Sequence, residues 1–562
     1  MRNSVIATEN SPQESLRPNP RNRAPLILDI LNPIFALTKY PDLLSLSLTC
    51  SSFRPLAIRI MLRTRPVVLK KVATIPKFRD FLFSDATSRT PHVVALVVDV
   101  ADSEIHSDPE RSEQAIEALV AILRYTSCLK SLELLSSANG RPLAYLDDPR
   151  LSAAVGEVAS LRELTIGGKT EVTDFIGAVR SPLTKLTLRF LHPRGGLHEW
   201  SPTSLGAALA SNPPDSALPP STQFHALRSL TLTNLVAVPH LPLFLDLFPN
   251  LDGTVRLTKF IYDIPDLAHQ SDSERFNFFR GGREQNSTAQ EGRCWTRLKR
   301  LVCDVETLFV LSLRCPIGLT MIQECPADAD SLERRWNGGL LEPSLGGMIP
   351  PEAAATLTHL TLFVEYAYEA CPRPASRYIP PASADTRWSD LWRDTLLPAI
   401  EHLHALTHFR LAFHCFAREA EEPGRPISEE PLVEDLRPLS GFDFNSVAST
   451  IADALPSLQY CFLTNSARVV ETKLVYANNL VERWCESRAW RIMPHAPFGD
   501  SGIDDPEAVA PADARATQRE LLELQDDVAE TIIEMEDLDL SMEEKASAMH
   551  HNINNTLHTS LC

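Results

Sequence analysis

LKSLEL at residues 129–134, LRELTI at 161–166, LTKLTL at 183–188 and LRSLTL at 227–232 repeat one wording: apolar, two others, apolar, one other, apolar. It returns as LKRLVC (298–303), LTHLTL (357–362), LTHFRL (406–411) and LQYCFL (458–463), with VVALVV (93–98) and LTKFIY (257–262) as weaker copies. Alternation along an extended strand sets the fourth and sixth residues of each copy on one face and the third and fifth on the other. A lone strand of this kind cannot bury its apolar face. Stacked strands can, if a helix after each one covers the same side. Helical periodicity between copies, as in EQAIEALVAILRYT (113–126) and SDLWRDTLLPAIEHLHA (389–405), supplies such covers. The fold class expected is α/β, an irregular array of repeats whose starts lie 22 to 71 residues apart. Ordinary βα units of some other α/β fold are the alternative. The polar stretches 270–293 and 373–388, rich in Gly, Pro and Ser, predict loops inserted between copies.

A chain of 562 residues with 44 % hydrophobic content fills more than one core, and 22 % charge is ordinary for a globular protein. No apolar run reaches the roughly 18 residues of a membrane span. The first 25 residues lack the apolar block of a signal peptide, so a disordered leader is expected. The eleven cysteines are odd in number and never fall as CxxC, which argues against a disulfide framework and a zinc module. Reduced thiols in cytoplasm or nucleus fit best. The net charge of −18 is uneven: residues 1–91 carry 14 basic against 6 acidic side chains, and residues 498–562 carry 3 against 16. Basic residues not interleaved with aromatics, in an acidic molecule, do not suggest nucleic-acid binding.

Ahead of the array, residues 24–65 read as three short helices. Leu26, Ile30, Ile34 and Leu37 fall at helical spacing, Asp42 is placed to cap a second helix, and Ser51 or Ser52 a third. So few residues cannot bury so many apolar groups among themselves, so part of that surface must meet something else. The segment resembles an F-box. Leu26, Ile30, Leu31, Ile34 and Phe35 match its first helix, and Asp42, Leu43, Leu44, Leu46, Ser47, Leu48, Cys50, Phe53, Arg54, Leu56 and Ala57 match the remainder. The wording SLTCSSFRPLA resembles fungal members. The array behind it, over roughly 90–470, resembles degenerate leucine-rich repeats. These resemblances imply a three-helix F-box followed by a curved α/β solenoid. They also imply docking on the Skp adaptor of a cullin–RING ubiquitin ligase through Leu26, Ile30, Ile34, Phe35, Leu43, Leu44, Leu48 and Cys50. An N-terminal helical cap for the array is the alternative for this segment. A repeat scaffold outside any ligase is the alternative for the chain.

The domain reading is a leader over 1–23, the F-box over 24–65, the repeat domain over 66–497 and an acidic tail over 498–562. Within the tail, Leu521, Leu524, Val528, Ile532, Met535 and Leu538 predict one amphipathic helix over about 513–546. Such a helix either docks back on the chain's own basic surface or meets a partner.

No phosphate-loop, dinucleotide, nucleophile-elbow or HExxH motif is present, so no enzyme, cofactor or metal is expected. His402, His404, His408 and His414 read as structural side chains. The third and fifth positions of the copies form two columns on the face away from the core. Glu133 and Glu163 mark the early end; Arg300, His359, His408 and Arg410 make the late end basic. An unknown protein target with an acidic or phosphorylated segment is expected to bind those four residues, since Arg grips such groups with two hydrogen bonds.

Overall fold

The computed structural model describes residues 33–35, 37–49, 51, 53–100, 108–135, 148–168, 176, 178–190, 223–233, 239–258, 272–323, 349–369, 396–418, 442–474, 477–493 and 519–540. Each repeat wording except LTKFIY becomes a strand because its fourth and sixth side chains find a common core. The strands are β1 (Val67–Leu69), β2 (Ala95–Asp99), β3 (Ser131–Leu135), β4 (Glu163–Gly168), β5 (Lys185–Phe190), β6 (Ser229–Thr233) and β7 (Thr254–Thr258). They continue as β8 (Leu298–Cys303), β9 (Ile317–Gln323), β10 (His359–Glu369), β11 (His408–Arg418), β12 (Tyr460–Leu474), β13 (Ala477–Met493) and β14 (Glu520–Glu523). They form one sheet in sequence order. Pairing is parallel from β1 through β12 and antiparallel for β12–β13 and β13–β14. The protein is thus α/β with a mostly parallel sheet.

Helices return the chain between parallel strands. They include α1 (Tyr40–Thr49), α2 (Arg54–Thr64), α3 (Thr74–Phe83), α4 (Pro109–Tyr125), α5 (Pro149–Glu157), α6 (Leu241–Leu247), α7 (Asp272–Ala289), α8 (Val305–Leu311), α9 (Phe444–Ala454) and α10 (Asp526–Met535). Asp108, Asp148, Asp304 and Asp443 cap α4, α5, α8 and α9 by accepting backbone N–H bonds. None of the described helices is long and apolar enough to cross a membrane. The core runs the length of the sheet on one face. It takes Leu132 and Leu134, Leu164 and Ile166, Leu186 and Leu188, and so on to Cys461 and Leu463, with the apolar faces of the helices.

The start of each strand is tied to the strand before it. Arg162 donates to Lys130 O, Thr184 to Arg162 O, Arg228 to Thr184 O and Gly253 to Arg228 O. At Gly253 a Cβ would lie 2.5 Å from Arg228 O, so this close approach requires glycine.

Several expectations need correction. Asp42 and Ser51 or Ser52 do not cap their helices: Asp42 lies in the first turn of α1, and Phe53 holds the N-cap position of α2. The weak copy LTKFIY is out of phase: β7 pairs Val255 with Leu301 and Leu257 with Cys303, so Leu257 is a sixth residue, not a first. The polar stretch 270–293 is no loop, because α7 occupies most of it. Buried Phe279 and Asn286 hold that helix to the core, and Asn286 Nδ2 donates to Pro239 O (2.8 Å) and Val310 O (2.9 Å). In the tail, a four-residue strand and the ten-residue α10 stand where one long helix was expected. β14 pairs with β13, and Arg519 caps the carbonyls of Ala452, Leu455 and Pro456 after α9. Val528 and Met535, expected on the apolar stripe, are exposed, while Ala529 and Leu538 are buried. The leader 1–23, the stretch 373–388 and residues 389–395 of the helix expected over 389–405 lie outside the described residues, and in the rest of that span only Leu397–Ile400 is α-helical.

Candidate functional site

Opposite the core, the late half of the sheet carries a second, smaller cluster of Val302, Leu319, Met321, Phe462 and Ala489, closed by Ala529 and Leu538 of the tail. Its floor comes from a strand that the repeat wording hides. β9 pairs Arg300 with Leu319, Leu301 with Thr320, Val302 with Met321 and Cys303 with Ile322. Its fourth residue is therefore Thr320, buried in the core, while Leu319 and Met321 stand on the face where other copies place polar groups. Apolar side chains in the wrong phase need a cover. The segment after α10 provides it.

The register joins the four expected target residues into one patch. One column runs Thr254, Arg300, Leu319, His359, His408, Tyr460; the next runs Arg256, Val302, Met321, Thr361, Arg410, Phe462. The His359 and His408 rings stack at 4.3 Å and 8°, and His408 stacks on Tyr460 at 4.9 Å. The chain's own acidic segment lies over them. Lys299 Nζ is 3.2 Å from Asp537 Oδ2, and Arg410 Nη1 is 3.2 Å from Asp539 Oδ1. Arg300 Nη2 donates to Asp539 O (3.2 Å), while Arg410 Nη1 and Thr361 Oγ1 both donate to Leu538 O at 3.0 Å. Two of those donors are ionised, which makes the bonds strong for their number. Leu538 is 0 % exposed.

The two histidines repeat one device. Thr358 Oγ1 donates its proton to Gly318 O (3.0 Å), and Thr407 Oγ1 to Thr358 O (3.0 Å). Each hydroxyl lies beside the Nδ1 of the next residue, at 2.7 Å for His359 and 2.9 Å for His408. Each hydroxyl has one proton to share between that carbonyl and Nδ1. Burial pushes both histidines down, His408 to about 4 with His359 as a lesser cause, so both are neutral at pH 7. Nε2 of His359 sits 3.2 Å from Glu536 Oε2, a hydrogen bond when the ring proton is on Nε2.

His359, His408 and Glu536 are the one group of three potential ligands among the described residues whose ligand atoms lie within 4.8 Å of one another. The two rings stack with nearly parallel planes, so lone pairs in those planes do not meet at a common ion. His402 and His404 stand apart from this group in the turn before β11. Among the described cysteines Cys303, Cys315 and Cys461 are buried and unbridged, and burial pushes the Cys315 thiol up to about 12.

At the other end, α1 and α2 pack through Phe35, Leu43 and Ile60, with Phe53 edge-on to Phe35 at 5.8 Å. Of the expected adaptor residues, Phe35 and Leu43 belong to that internal cluster. Ile34, Leu44 and Leu48 are 51 %, 40 % and 74 % exposed. Leu26, Ile30 and Cys50 lie outside the described residues.

The fold and patch define an α/β protein whose late sheet face holds an acidic segment of its own chain. No family model matches the sequence, and no curated protein matches it.

Proposed function

We propose that this chain is the substrate-recognition subunit of an SCF-type ubiquitin ligase. In this reading the N-terminal helices are an F-box that docks a Skp-type adaptor on its cullin complex. The repeats form a leucine-rich-repeat-like solenoid whose basic late face binds a protein target. The chain contributes proximity: a held target meets the ubiquitin-bearing subunits at high effective concentration, and catalysis belongs to them. It would work in cytoplasm or nucleus and need no cofactor.

The observation that carries the proposal is the outward apolar set at the N-terminus. Leu44 and Leu48, one turn apart on α1, join Ile34 and Leu37 in exposure, whereas Phe35, Leu43 and Ile60 already hold the helices together. Four large apolar side chains left open beside a completed small core suit an interface. The test is co-purification of the full chain with the Skp adaptor. Wild type should retain it, and Leu44→Asp with Leu48→Asp should lose it without unfolding, since both positions are exposed. Leu43→Asp would not serve, because Leu43 is buried at 3 % exposure. Undiminished binding by the double variant would refute the F-box reading, and absence of the adaptor from wild type would favour a scaffold outside any ligase.

A further inference from the structure

Residues 526–540 occupy the patch just read as the target site, yet they fit it incompletely. Nε of Arg410 is buried and makes no hydrogen bond among the described residues. Beside the tail a cavity of about 700 Å³ remains between α10 and β11–β13, lined by Arg300, Arg410, Phe462, Arg488, Ala529 and Asp539 among others. By contrast, the Asp537-Leu538-Asp539 step is complementary: a buried leucine between two carboxylates, each beside a cation.

We infer that residues 526–540 are a resident stand-in for the target. The target segment they mimic is an acidic-aliphatic peptide with Asp-Leu-Asp in this register. The inference rests on the reading of this face as the target site and deepens it. Such a segment displaces the tail because it keeps the leucine and both carboxylate contacts and adds contacts in the cavity beside α10.

The probe is a fluorescent peptide of residues 524–540, titrated against the full chain. On wild type it must compete with the tethered tail, whose local concentration is of millimolar order. In Leu538→Asp, a charge forced into the apolar cluster frees the tail, and the peptide should bind at least tenfold tighter than on wild type. A Leu538→Ala peptide should bind at least tenfold weaker than the native one. If Leu538→Asp perturbs folding, Asp537→Asn with Asp539→Asn in the chain opens the tail more gently and should show the same order of peptides. Equal binding to the opened and wild-type chains overturns the stand-in. A Leu538→Ala peptide bound as tightly as the native one overturns the Asp-Leu-Asp register. Adaptor co-purification measured on the same opened chain separates the two proposals. Adaptor retained without any peptide gain sinks only the stand-in, and peptide gain without adaptor sinks only the ligase reading.

Discussion

Leu538→Ala tests whether one side chain latches the tail. Leu538 is wholly buried among Val302, Leu319 and Met321, and its carbonyl takes the Thr361 and Arg410 bonds. The substitution keeps those backbone bonds and removes only packing. Core Leu→Ala changes cost about 2–5 kcal/mol, and the low end, about 2–3, applies where a surface segment can settle into the space. An α10 of ten residues is marginal by itself in water, so an undocked tail loses its helix. The amides of Ala529, Glu536 and Leu538, bonded to Gln525 O, Ile532 O and Ile533 O, then exchange with solvent. At tenfold per roughly 1.4 kcal/mol, hydrogen exchange over 529–538 should accelerate about 25- to 150-fold. Amides of β10 and β11 should not change, and those of β14, held by β13 and Arg519, should change little. Acceleration below about threefold in 529–538 would show that the ion pairs, not Leu538, hold the segment.

Leu44→Asp with Leu48→Asp should weaken adaptor binding by about two to four orders of magnitude, since each buried leucine contributes about 1.5–3 kcal/mol; pull-down and titration check it. Asn286→Ala should lower the thermal midpoint measurably, because Leu241 N, Pro239 O and Val310 O all lose a buried partner, a loss of about 2–4 kcal/mol; an unchanged midpoint would refute the role given to α7. His408, moved down from 6.5 to about 4 by burial, favours the neutral ring in the folded chain. Its contribution is whole above pH 6.5 and is lost as pH falls toward 4, because there the unfolded chain binds the proton more readily; after discounting for solvent this amounts to roughly 1–2 kcal/mol. His408→Gln should therefore give a shallower fall in thermal midpoint between pH 7 and 4.5, and parallel profiles would show that the ring does not titrate as described.

Most of the parallel sheet is legible in the repeat wording, because a half-buried strand must alternate and alternation is local. Leu132, Leu164, Leu186, Leu230 and Leu360 declare their own face and, with it, the register of their neighbours. The two outer columns follow from the same period of two. The capped helix α4 shows equally well in its apolar spacing. Where the signal failed, the environment had reversed it. Thr320 sits in the core and Leu319 and Met321 face outward, so β9 reads as no repeat at all. Phe279, Asn286 and Gln290 are too few and too polar to mark α7, although Asn286 earns its burial by bonding three backbone groups of two other segments.

The tail divides most sharply along this line. Its acidity and its apolar residues are plain in the sequence, and so is a basic late end for it to meet. Which residues turn inward is not, because a helix of this composition presents whichever side its partner surface selects. Leu538 turns inward with the expected stripe, but Ala529 is buried where Val528 and Met535 are not, because Leu319 and Met321, more than two hundred positions earlier, lack any other cover. Local order came from the chain's own periodicity. The docking of one end on the face of the array came from tertiary structure, because only there do the misplaced apolar groups and the opposite charges of distant segments come within reach of one another.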